Sequence, residues 1–262
     1  MPELVPAALA LGFGAVIGLA MGTLGAGGSI LTVPILVYAM GVPVQAATAT
    51  SLAIVGANAA TGAIDAIRHG RSLPKTGLAF GVSGLLGAFV GVWLNHQLRG
   101  EVILLLFSFL MVAAAWGMLR HGAAGDDEGH FDEHYSMSGW VRLVGVGLGV
   151  GLLTGFFGVG GGFLIIPALV IVLGLPMRLA VGTSLLAIAL NSLWGLLGHL
   201  RFGGLDWGLT LLFGGGGVIG VLVGGRVADR LPEKGLRTAF ALLIVGIALF
   251  TFAQSALALI RG

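Results

Sequence analysis

Two glycine clusters stand out as places where this chain could do chemistry. They are Gly25-Ala26-Gly27-Gly28-Ser29 and Gly158-Val159-Gly160-Gly161-Gly162. Each interrupts a long apolar tract, and a helix is expected to restart after each, near Ser29 and near Gly162. The first N–H groups of a restarting helix lack intrahelical partners and carry partial positive charge. Two such ends facing one cavity suit an anion, and glycine lets a ligand reach the backbone with no Cβ in the way. Thr50-Ser51 and Thr183-Ser184 fall early in the following apolar segments, with Asn58 and Asn191 about two turns further on. Their hydroxyls and amides can donate to substrate oxygens, or equally bond between helices or back onto their own helix. The candidate substrate-binding set is therefore Gly25, Gly27, Gly28, Ser29, Thr50, Ser51 and Asn58, matched by Gly158, Gly160, Gly161, Gly162, Thr183, Ser184 and Asn191.

Few ionisable residues lie within the apolar segments. Asp65 and His199 fall near the ends of their segments, and Arg68 and Arg201 close the same two segments. Intramembrane ionisable groups are functional candidates by default, so these four form a candidate proton or anion relay. As interfacial, solvated groups and topological anchors they would need no such role. The polar stretch 121–139 holds several His, Asp and Glu, but its glycines and lack of helical register read as a solvated loop, and no metal site is expected there. The chain has no cysteine, which excludes disulfides and thiol chemistry. It carries no H-E-x-x-H, G-x-S-x-G or Walker loop, so neither an enzyme nor a cofactor is expected. The 13 Lys and Arg form no basic stripe, which argues against a nucleic-acid partner.

The elements that must position these residues are membrane helices. Charged residues make up 9% of the chain, against about 25% in soluble domains. Between Glu3 and Asp65 there is no Asp, Glu, Lys or Arg, a stretch long enough for about three crossings of about 20 residues each. The chain also reads as a duplication. Pro34 matches Pro167, Thr50-Ser51-Leu52 matches Thr183-Ser184-Leu185, and Asn58 matches Asn191, all at one ungapped offset of 133. Each half has a Gly-broken first tract (4–40 and 140–174) and three further helices, near 44–66, 76–96 and 101–120, then 178–200, 206–226 and 236–260. Residues 1–120 form the first repeat, 121–139 a polar linker and 140–262 the second repeat. Gly84, Gly87, Gly91, Gly217, Gly220 and Gly224 read as close helix-crossing positions.

Loop charges bear on the handedness of the repeat. If each broken tract crosses once, the Lys and Arg divide seven to six between the faces, which is no bias. If each tract enters and returns, ten fall on one face and only Arg99, Arg201 and Arg261 on the other. The second count fits the positive-inside rule, with both termini outside and the linker cytoplasmic. Charge cannot separate a re-entrant hairpin from two short spans, but a second limb of about 12 residues is short for a crossing, which favours the hairpin. The expected fold is thus all-α: a polytopic transmembrane bundle of two inverted-topology repeats, each with a re-entrant first segment and three spanning helices. The two glycine tips would approach the midplane from opposite sides, where broken helices mark a transporter's binding site.

A Gly-rich break, an apolar stretch ending in Pro, a G-x-P turn, then A-T-S-L or G-T-S-L and a helix ending in R-x-G, all present twice, resemble the TauE/SafE sulfite-exporter family over essentially the whole chain. The pattern G-x-x-x-H-x-x-x-G-x-V/I-D-W of that family's second half is kept at Gly195, His199, Gly203, Asp206 and Trp207. The first half departs from it, with Leu73 where Asp206 would align, so a role needing Asp-Trp twice is not carried over. The resemblance implies export of sulfite, organosulfonates or similar small anions across a prokaryotic cytoplasmic membrane, with the lipid bilayer as the other partner. Secondary transport without ATP is the leading reading. A channel-like facilitator for other small anions and a non-transporting membrane scaffold are the alternatives, and assembly into a homo-oligomer is left open.

Overall fold

The computed structural model describes residues 4–25, 27–120, 137–157, 162–200 and 205–261. Gly158, Gly160, Gly161, Arg201 and most of the 121–139 linker lie outside them. Among the described residues ten α-helices follow in order: α1 (Leu4–Leu24), α2 (Gly27–Pro34), α3 (Val44–Arg68), α4 (Pro74–Asn95), α5 (Gly100–Arg120), α6 (Met137–Phe157), α7 (Gly162–Pro167), α8 (Met177–His199), α9 (Trp207–Ala228) and α10 (Glu233–Arg261). No strand occurs among the described residues. Helices α1, α3, α4, α6, α8 and α9 are each long and apolar enough to cross a bilayer. The described apolar runs of α5 and α10 are Val102–Ala113 and Leu242–Gln254.

Element starts repeat at the sequence offset of 133: Leu4 and Met137, Val44 and Met177, Pro74 and Trp207, Gly100 and Glu233. The second limb of each broken tract repeats in fine detail. α2 and α7 each end on a proline and continue as π-helix, Ile35–Ala39 and Ala168–Val172. A proline has no N–H to give and crowds the preceding turn, and wider π-turns commonly absorb such a disturbance. Each limb then stops at a left-handed glycine, Gly41 (φ 69°) or Gly174 (φ 67°). Beyond it Val42 N–H donates to Leu36 O at 3.0 Å, and Leu175 N–H to Leu169 O at 3.1 Å. That is the glycine-closed helix C-terminus made one residue wider by the π-helical last turn.

Glycine sets how the long helices meet. A Cβ on Gly14, Gly18 or Gly22 of α1 would collide with backbone at Phe213, Gly217 or Val221 of α9. One on Gly147, Gly151 or Gly155 of α6 would collide with α4 at Ser83, Gly84 or Ala88. These helices therefore touch backbone to backbone, the close approach that stabilises helix pairs in lipid. Each contact pairs the first helix of one half with the third long helix of the other. The registers also give direction. Residue numbers rise together along α1 and α9, along α3 and α9 (Asn58 at Gly217, Asp65 at Gly225), and along α4 and α8 (Gly81 at Leu190, Gly198 at Val92). They run in opposition along α3 and α8, where Gly62 meets Leu185 and Gly195 meets Leu52. So α1, α3 and α9 end on one face of the bundle, and α4 and α8 end on the other.

The first glycine break is not at the midplane. Gly22 and Gly62 both face Val221, and Gly62 lies six residues past the middle of α3, about 9 Å at 1.5 Å per residue. The reason is the length of α1: 21 helical residues precede the break, so the chain is most of the way across before it turns. Outward-facing side chains complete the membrane character. Leu86, Leu211, Ile219 and Leu249 are largely exposed, and Trp93, Trp116, Trp140 and Trp207 sit exposed near helix ends, where indoles favour the membrane–water interface.

Candidate functional site

The first glycine tip is seated against the other half. Gly25 has φ 65°, and a Cβ there would come within 2.9 Å of Ile166 Cδ1, 3.1 Å of Ser184 Oγ and 3.2 Å of the Val181 Cα. Only glycine combines that backbone conformation with that closeness. Ser184 is fully buried and donates to Val181 O at 2.7 Å. The tip of the first half thus meets the Thr-Ser-Leu segment of the second. Ser29 and Ser51 are buried as well.

Thr50 and Thr183 tie the halves together. Thr183 Oγ1 accepts from Leu73 N–H at 2.9 Å, and Thr50 Oγ1 accepts from Asp206 N–H at 3.3 Å. Leu73 and Asp206 are the N-cap residues of α4 and α9. Asp206 also caps its helix by accepting from Leu209 N–H at 2.9 Å. The two threonines therefore hold the entry of a long helix from the opposite half, each with its hydroxyl oxygen already engaged.

Asn58 and Asn191 are placed differently. Both are fully buried, and neither the Oδ1 nor the Nδ2 of either has a hydrogen-bond partner. Asn58 lies on Gly217 of α9 and Asn191 on Gly84 of α4, so tightly that a Cβ on either glycine would collide with the amide. Both lie near the middle of their helices, where no water-exposed face relieves them. An unmet buried polar group typically costs about 1–3 kcal/mol.

A cavity of about 410 Å³ opens on the face where α3 and α9 end, with Gly22, Thr23, Gly62, Arg71, Arg178 and Asp229 among its walls. Arg71 is its organising charge. Gly70, left-handed at φ 67°, ends α3 and folds Arg71 back over the last turn. There Arg71 donates to Asp65 Oδ2 at 2.6 Å, to Asp229 Oδ1 at 3.0 Å and to Gly225 O at 3.0 Å. Arg178 lines the same cavity and donates to Leu231 O at 3.1 Å. At the deep end, Leu185 and Val221 close over Gly62, within 3.0 Å and 2.8 Å of where its Cβ would be. Asn58 follows one turn deeper on α3, and Gly217 one turn deeper on α9.

The opposite face has other chemistry. His199 is buried and its Nε2 lies 3.2 Å from Gly155 O, so that nitrogen is the donor. Its ring centroid is 5.1 Å from that of His96, and Asn95 Nδ2 donates to Phe156 O at 2.6 Å. Of the four relay candidates, Asp65 and His199 therefore sit at opposite ends of the bundle. Arg68 is exposed and outside the ionic cluster, and its neighbour Arg71 takes the place expected of it. Sequence reasoning missed Arg71, Arg178 and Asp229 as site residues. The helix-ending Gly70 was a local signal for the first, but nothing local joins Arg71 to Asp229.

Comparison with known proteins agrees with this architecture. The family described as sulfite exporter TauE/SafE matches residues 10–251. A probable membrane transporter protein of Xylella fastidiosa (strain 9a5c) is 34% identical over 249 residues, covering 94% of each chain. The probable membrane transporter protein YdhB of Bacillus subtilis (strain 168) is 28% identical over 86% of this chain and 92% of its own. No solved structure matches the chain. With a family match spanning nearly all of its residues, and relatives that are themselves named as membrane transporters, this multi-pass helical chain belongs to the sulfite exporter TauE/SafE family of membrane transporters.

Proposed function

We propose that this protein is a secondary transporter that exports a small sulfur-containing anion, sulfite or an organosulfonate, from the cytoplasm. The observation that carries this reading is the cavity beside the first glycine tip, where Arg71 and Arg178 are the fixed positive charges. An anion entering there meets an Arg71 guanidinium already shared with Asp65 and Asp229, so it must compete for that group. Such competition keeps binding modest, which an exporter needs for release. The face carrying Arg71, Arg178 and Arg230 holds the excess of loop charge, so we read it as cytoplasmic and both termini as lying outside a prokaryotic cytoplasmic membrane.

We read the two halves as inverted-topology repeats, supported by the antiparallel run of α3 and its counterpart α8. In this conformation the side we read as cytoplasmic is open as far as Gly62. Exchange between that arrangement and its mirror, with Leu185 over Gly62 and Leu52 over Gly195 as the two constrictions, would give alternating access. No ATP is required for a monoanion to leave. A membrane potential, negative inside, contributes about 2.3 kcal/mol per charge per 100 mV, which sustains a gradient of about 50-fold.

The test is a thermal-shift screen of the purified protein against sulfite, thiosulfate, methanesulfonate, taurine, acetate and organic cations. A ligand of the native state raises apparent stability by mass action. Stabilisation by sulfur anions and not by cations is expected. Stabilisation by cations alone would overturn the assignment.

A further inference from the structure

The two orphaned amides ask for a particular kind of ligand. Asn58 and Asn191 each leave a carbonyl oxygen and an NH2 group without a partner, and both are fully buried. An apolar residue of the same shape at these sites would avoid the cost. Both halves nevertheless carry an asparagine at this position, each against a glycine of the facing helix, Gly217 and Gly84. Packing between helices does not account for them, because a packing amide would reach across to a backbone carbonyl, as Asn95 does with Phe156. These two do not.

They also lie in line with the cavity. Gly62 and Val221 wall its deep end, and Asn58 and Gly217 follow one turn further in. In the other half, Asn191 stands one turn before Gly195, which Leu52 covers at 3.1 Å from its Cβ position. Each amide therefore lies one turn from a glycine that a leucine of the facing helix covers.

We propose that Asn58 and Asn191 are two successive dry binding stations, one per half, for a small oxyanion that still carries a hydrogen. This rests on the exporter reading above. The NH2 group donates to the anion's oxygens, which satisfies Nδ2. The Oδ1 atom is an acceptor only, so it needs a donor, and a fully deprotonated oxyanion has none. A hydrogen-bearing monoanion such as hydrogensulfite supplies both halves of the pairing. A monoanion also suits a path along which the described residues place no Lys or Arg deep in the bundle, because every further buried charge adds to the cost of crossing.

The experiment compares two anions of similar shape and equal charge at one mildly acid pH: methylphosphonate, which keeps an O–H, and methanesulfonate, which has none. Each competes with hydrogensulfite flux in liposomes containing the intact protein. Holding pH fixed keeps Asp65, His69, Arg71, Arg178 and Asp229 at the cavity, and His96 and His199 opposite, from differing between the two anions. The expected result is that methylphosphonate competes about tenfold more strongly than methanesulfonate, a difference of about 1.4 kcal/mol. Asn58→Leu and Asn191→Leu should each lose flux while their melting temperature stays the same or rises, which a purely structural amide would not do. Equal competition by the two anions, or full flux in either leucine variant, overturns the proposal and leaves the exporter reading standing. Absence of hydrogensulfite flux in the unmodified protein overturns both.

Discussion

Replacing Gly25 and Gly41 by alanine separates two effects that usually arrive together. Both glycines are left-handed, at φ 65° and 69°, and a residue with a Cβ loses about 1–2 kcal/mol in that region. At Gly41 an added Cβ meets nothing within 4 Å, so Gly41→Ala should lose about 1–2 kcal/mol and no more. At Gly25 the same methyl meets Ile166, Ser184 and Val181 at 2.9–3.2 Å. Ile166 Cδ1 is the end of a flexible side chain and can move, but the Val181 Cα is helix backbone and cannot do so cheaply. Overpacking of this kind adds about 1–3 kcal/mol, for a total of about 2–5 kcal/mol. Equilibrium unfolding in detergent, followed by tryptophan fluorescence, measures both variants on one scale, and sulfite flux shows whether the tip must stay seated for transport. Equal destabilisation of the two variants would refute the seating of the tip against α7 and α8.

Further outcomes follow from other contacts. Asp65→Asn removes one of the carboxylates on Arg71, so sulfite affinity should rise while stability falls by no more than about 1 kcal/mol; calorimetric titration showing weaker sulfite binding would count against competition at Arg71. Thr183→Val loses the bond to Leu73 N–H and should destabilise by about 0.5–1.5 kcal/mol, read as a lower unfolding midpoint. Gly217→Ala and Gly84→Ala should each be more damaging than Gly246→Ala, where an added Cβ meets nothing within 4 Å, as thermal unfolding would show. For topology, Lys75→Cys should resist an impermeant thiol reagent in intact cells and Arg99→Cys should react, and the reverse pattern would invert the orientation.

Much of the fold was legible in the sequence because a bilayer forces it. Apolar runs of about 20 residues must be helices, and the 133-residue offset pairs them between the halves. The offset also picked out Asn58 with Asn191 and Thr50 with Thr183, positions the structure places in matching surroundings. The depth of the glycine tip was misjudged, because a break shows where a helix stops and not how far it has already travelled. The ionic cluster escaped for a different reason. Arg71 and Asp229 are 158 residues apart, and repeat logic cannot find them. The counterparts of Asp65, Arg71 and Asp229 in the other half are Gly198, Gly204 and His96. The two ends of the bundle differ in charge, so what one half teaches about the other stops at the membrane surface.

If the cavity at Arg71 leads a sulfur anion through the membrane, the protein alone must carry sulfite across a bilayer. Purified protein in liposomes loaded with sulfite, under an imposed potassium diffusion potential, measures this directly. The expected result is saturable sulfite efflux that accelerates when the compartment facing the Arg71 cavity is made negative, that shows counterflow, and that falls when Arg71 and Arg178 are both replaced by glutamine. Sulfite efflux no faster than from protein-free liposomes, at any potential, would contradict it.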